Sequence, residues 1–110
     1  MAADGIISID ETQRIVVFNR GAEKLFGYSA GEAIGQPLDM LLPTDVAAVH
    51  RLHVRGFGLG PDESRAMAER DRLAARRKDG TLVDIEVSIS RHSETDRTIY
   101  TAVVRDITQR

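Results

Sequence analysis

The chain contains no cysteine. That absence removes disulfides, thiolate nucleophiles, iron–sulfur clusters and cysteine-based zinc sites. Flavin photochemistry that depends on a reactive cysteine is excluded on the same ground. Long apolar runs are also missing, and nothing approaches the ~20 residues needed to cross a bilayer. The N-terminus, Met1-Ala2-Ala3-Asp4, lacks the basic flank and the apolar stretch of a signal peptide. A cytoplasmic location without membrane insertion is expected, and a cysteine-free chain is compatible with a reducing compartment. Charge of one sign is not in excess: 15 basic residues stand against 17 acidic ones, a formal net charge of −2. Nothing in that balance favours nucleic acid or an anionic membrane as a partner.

What is present is a chain of 110 residues, 42% hydrophobic, enough for one domain with a real core. It begins and ends against structured-looking segments, so residues 1–110 are expected to be one domain cut from a longer protein. Ile6-Ile7-Ser8-Ile9 and Arg14-Ile15-Val16-Val17-Phe18 are β-branched runs across a polar turn, a hairpin pattern. Asn19 can cap a helix whose buried face carries Ala22, Leu25 and Phe26, with Gly27 as its stop. Ser29 and Glu32 have capping-box spacing, so a second short helix starts there and ends by Gly35 and Pro37. Leu38, Met40, Leu41 and Leu42 form an apolar patch. Thr44 or Asp45 can open a third helix running to about Phe57, after which Asp62 to Glu69 is polar.

The last third has β character. Arg70 to Arg77 suits a charged edge strand, and Lys78-Asp79-Gly80 suits a hairpin turn. From Leu82 to Ser90, Ile85, Val87 and Ile89 alternate with Asp84, Glu86 and Ser88. His92 to Arg97 is expected as a polar turn and Ile99 to Ile107 as the final strand. Strands, then helices, then strands predict an α+β fold, an antiparallel sheet with helices on one face.

Several stretches then resemble motifs of the PAS family in the family's order. These are Asp4-Gly5-Ile6-Ile7-Ser8-Ile9-Asp10, Phe18-Asn19-Arg20-Gly21-Ala22-Glu23-Lys24-Leu25-Phe26-Gly27-Tyr28, Glu32-Ala33-Ile34-Gly35, Leu41-Leu42-Pro43, Arg77-Lys78-Asp79-Gly80 and the terminal Arg105-Asp106-Ile107-Thr108. Together they cover nearly the whole chain. The resemblance implies a PAS-like fold: a five-stranded antiparallel sheet with helices cupped over one face and any ligand held between. It also implies a signal that leaves through the last strand into an output element beyond this chain.

Four sets of residues are candidates for function. By alternation Ile7, Ile9, Ile85, Val87, Ile89, Tyr100, Ala102 and Val104 face the helices, as an ordinary packed core or as the walls of a ligand cavity. Ala102 leaves room, and a buried Tyr100 hydroxyl needs a partner. On the third helix, Val46, Val49, His50, His53 and Phe57 share a stripe at about 100° per residue, so both histidines point to the apolar side. They suit hydrogen-bonded core positions. In haem-binding oxygen sensors of the fold that the resemblance implies, a histidine on this helix ligates iron, and His50 falls at about that position. The oxygen-gating arginine of those sensors would fall near Asp71, flanked by Arg70 and Arg72. The i, i+3 spacing of His50 and His53 does not favour bare zinc.

The third set, Asp106 and Thr108, is either a strand end or, as the resemblance implies, a signal-relay hinge. In the hinge Asp106 pairs with a basic residue near Arg76-Arg77-Lys78, and Thr108 caps an outgoing helix. The fourth is the outer sheet face, where Val103 and Ile107 are expected as exposed apolar residues that a homodimer partner or flanking helices would cover. The resulting expectation is a regulatory, non-enzymatic sensory and dimerising module of a bacterial-type signal-transduction or two-component protein, with the output domain outside the chain. Its cofactor is open: a small apolar ligand, haem on His50, or none in a pure interaction scaffold.

Overall fold

A computed structural model describes residues 4–43 and 70–108. The expected third helix, with His50 and His53, and the polar stretch after it lie outside the described residues.

The chain opens with β1 (Gly5–Ile9) and β2 (Ile15–Phe18), joined through a turn closed by Asp10. The Asp10 carboxylate accepts from the Thr12 hydroxyl at 2.7 Å, the Thr12 amide at 2.9 Å and the Arg14 amide at 3.1 Å. Such an Asx arrangement fixes the turn locally, and these bonds, the Thr12 hydroxyl first, hold the Asp10 carboxyl below its ordinary pKa.

Helix α1 (Arg20–Phe26) starts where Asn19 accepts from the Ala22 amide at 2.9 Å. The same side chain accepts from the Ile6 amide at 2.8 Å and donates to the Asp4 carbonyl at 3.2 Å, which ties the helix start to β1. Gly27 ends the helix at φ 86°, a left-handed conformation that glycine adopts without steric cost. The α2 helix (Ala30–Ala33) has the complete Ser29/Glu32 capping box. A 3₁₀ turn follows at Leu38–Leu41 and buries Leu38 and Leu41.

Strands β3 (Arg70–Arg76), β4 (Leu82–Glu94) and β5 (Arg97–Asp106) complete an antiparallel sheet of order β2-β1-β5-β4-β3. The architecture is the expected α+β one, with β3 at an edge. β4 and β5 run further than the sequence pattern predicts. The polar turn expected over His92–Arg97 narrows to Thr95-Asp96, because His92 pairs with Ile99, Ser93 with Thr98 and Glu94 with Arg97. Polar residues with matched partners across the ladder stay in strands, here with a Ser93–Thr98 hydroxyl contact at 3.3 Å.

The first strand is non-locally paired: β1 lies between β2 and β5, with Ile7 opposite Ala102 and Ile9 opposite Tyr100. Helix α1 lies against β1 at close range. A Cβ on Gly5 would sit 3.2 Å from the Ala22 Cα, tighter than most side-chain contacts, so any other residue would push the helix away by a few tenths of an ångström. The core gathers Ile7, Ile9, Phe18, Phe26, Leu41, Val83, Ile85 and their neighbours on the inner face of the sheet.

Candidate functional site

Strand alternation sends Ile85, Val87 and Ile89 of β4 inward, and all three are buried while Asp84 is exposed. The paired strands continue the same face with Ile7 and Ile9 on β1 and Tyr100, Ala102 and Val104 on β5. These eight side chains, all anticipated from alternation, line one cavity together with Phe26, Leu38, Leu41, Leu42 and Ala75. The last five come from α1, the 3₁₀ turn with Leu42 just after it, and β3. Phe26 and the leucines were visible as buried-face or apolar-patch residues, but nothing in their own spacing aims them at the sheet residues they meet.

The cavity has a volume of about 40 Å³ and an apolar lining. A water needs ~10–15 Å³ and two or more polar partners, so the space has room for water, but the described residues present no polar surface to hold it. It suits a small apolar molecule or one short apolar group. Tyr100 and Ala102 are only half-buried, unlike Val104. Among the described residues no cluster of three or more histidine, aspartate or glutamate side chains could hold a metal ion.

At the far end of β5, Asp106 and Thr108 meet a second set of partners. Asp106 lies 3.8 Å from the Arg77 guanidinium and accepts from the Thr108 amide at 2.8 Å. The Thr108 hydroxyl in turn accepts from the Asp84 amide at 3.3 Å, and the Ile107 amide donates to the Asp84 carbonyl at 3.0 Å. Partial burial pushes the Asp106 carboxyl up, but the bonds to Thr108 and the Arg77 charge outweigh it, leaving the group below its ordinary value. The strand end is thus fastened to β4 and to the β3–β4 hairpin. On the opposite side of the same end, Arg105 approaches Asp4 at 3.6 Å, beside the start of β1.

The outer sheet face differs in detail from expectation. Val103 and Ile107 are half-buried rather than exposed. Val103 sits in a central strand between Ile6 and Ser88, whose side chains flank it, and Ile107 is held against Asp84. The more exposed apolar residues on the β1–β2 side are Ile6 and Val17. Between them Ser8 is buried, its hydroxyl 2.8 Å from that of Thr101.

Comparison with known proteins places these features among sensors. A family model described as a PAS domain matches residues 3–109. The chain is 33% identical over 102 residues to the oxygen sensor protein DosP of Escherichia coli, which covers 93% of this chain and 13% of that protein. It is 31% identical over 106 residues to the sensor protein FixL of Bradyrhizobium diazoefficiens, covering 96% of this chain and 21% of that protein. The chain therefore spans only a small part of the length of these relatives. Among solved structures, the PAS domain of a Colwellia psychrerythraea protein superposes with a TM-score of 0.75 at 27% identity, over 97% of this chain and 88% of that one.

Proposed function

The chain belongs to the PAS domain family and is a sensory domain; from that premise we propose that it senses a small apolar ligand in the cavity and relays occupancy through β5 to an output domain. The observation that supports the reading is that β5 reaches both places. Its residues Tyr100, Ala102 and Val104 line the cavity, and two residues later Asp106 is fastened to Arg77. A ligand preferring one setting of this wall shifts the population of settings at the strand end. The domain acts as a cytoplasmic, regulatory rather than catalytic module, and the described residues give its cavity apolar contact. No helix among the described residues is long and apolar enough to cross a membrane. Self-association through the outer face, around Ile6, Val17 and Val103, belongs to the same reading.

Xenon, a purely apolar probe, tests the cavity. Methyl resonances of Ile7, Ile85 and Val104 should shift saturably under xenon pressure, and Ala102→Leu, which fills the space, should abolish the shifts. Shifts that are absent, or that survive in Ala102→Leu, would leave a filled scaffold.

A second reading, haem held by His50, draws on the likeness to an oxygen sensor. The described residues supply only an apolar wall, and a cavity of about 40 Å³ would have to widen greatly to take a macrocycle; His50 enters this reading through the family resemblance alone. The protein purified after expression with a haem precursor should then show a Soret band that His50→Ala removes. A colourless protein that takes up no added haem removes this reading.

A further inference from the structure

Arg77 is the last residue before the β3–β4 turn, and each of its three side-chain nitrogens faces a different element. Nε donates to the Leu25 carbonyl in the last turn of α1 at 3.2 Å. Nη1 faces the Thr81 hydroxyl across the hairpin at 3.5 Å. Nη2 faces the Asp106 carboxylate at the end of β5 at 3.8 Å. The next residue adds a backbone tie, the Lys78 amide donating to the Phe26 carbonyl at 2.9 Å. The turn is held down further by Lys78 Nζ on Glu32 at 2.6 Å, with the same ammonium 5.9 Å from the Tyr28 ring centre.

A guanidinium is planar and rigid, so its donors cannot move independently. Phe26, whose carbonyl anchors Lys78, puts its ring into the cavity wall. We propose that Arg77 is a coupling residue that joins the last turn of α1 to the exit of β5, so that displacement of Phe26 by cavity contents is delivered to Asp106 through one side chain. The Asp106 contact is the longest of the three, and in this proposal it is the one that yields when the helix end shifts. This gives the cavity a second route to the strand end, through the helix and hairpin, besides the direct one along β5. The inference takes Asp106 as the exit from the relay reading above but needs no ligand, so an empty cavity and a failed junction give different results.

The test is the carboxyl titration of Asp106, followed by carbon NMR in the whole chain, in a cycle of Phe26→Leu and Arg77→Gln. Phe26→Leu should displace the midpoint by about 0.2–0.5 pH units, since a small change in a charge contact moves a pKa on that scale. In the Arg77→Gln background the same substitution should have no effect. A residue that merely capped α1 would leave the Asp106 midpoint unmoved by Phe26→Leu in either background. That result, or an equal displacement in both, would overturn the proposal. Should Phe26→Leu fail to fold, Gly27→Ala perturbs the same turn from its surface, through strain at positive φ, with the new Cβ in ordinary contact 3.7 Å from the Lys78 Cβ.

Discussion

Replacing Phe26 by alanine should lower unfolding stability by about 3–5 kcal/mol, the usual cost of emptying a large aromatic site in a core. Phe26 is 1% exposed, and its ring lies 6.2 Å from that of Phe18 at a tilt of 41°, a contact that adds to simple burial. It is also the residue by which α1 closes the cavity. The loss is a large share of the ~5–15 kcal/mol that holds a typical domain folded. Urea unfolding should show the midpoint fall sharply with an unchanged slope. If the loss stays below about 1.5 kcal/mol, the ring is not packed as described. Where the variant remains folded, the enlarged cavity should accept benzene, which the parent should exclude.

Asp106→Ala should do the opposite: keep the fold and lose the signal. Both Asp106 and Arg77 are more than a third exposed, so their ion pair contributes little to stability, within about 1 kcal/mol for pairs of this kind. The carboxylate nevertheless joins Arg77 to the Thr108 amide at the strand exit. Xenon-induced shifts should therefore persist at Ile85 and Val104 in the variant and vanish at Thr108, with a melting temperature close to that of the parent. Asp106→Asn, which keeps an acceptor for Thr108 but removes the charge, separates the two contacts. A variant that simply melts would make Asp106 a structural residue.

The same carboxyl sets a pH dependence. Its pKa is depressed in the folded chain, so the stabilisation it gives is present above the ordinary carboxylate value of about 3.9 and is lost as pH falls through the lower folded value. Relay should therefore be insensitive to pH near neutrality and fail only in acid.

The sequence by itself determined the local features. Asn19, Gly27 and the Ser29/Glu32 box act within a few residues of themselves, where side-chain chemistry and backbone preference decide the outcome, and each stands where spacing placed it. The inward face of β4 was equally legible, because a period of two fixes a strand's faces without reference to its partner. The tertiary structure decided what touches what. Nothing in the pattern of β1 says that it lies against β5, and nothing in Val103 says that its neighbours will half-bury it. Polar composition suggested a turn over all of His92–Arg97, where cross-strand partners extend both strands and leave only Thr95-Asp96 as the turn.

Arg77 shows the limit most clearly. A basic partner for Asp106 near the hairpin was anticipated, but the contact with the Leu25 carbonyl, 52 residues away in the chain, was not. That contact exists because the hairpin turn folds back onto the end of α1, and only chain packing brings a guanidinium within reach of both. The cavity has the same origin. Its sheet wall could be read from alternation, whereas its volume of about 40 Å³ follows from how closely Phe26 and the Leu38–Leu41 turn approach that wall. Periodicity fixes which way a side chain points, and packing distance fixes whether space is left in front of it.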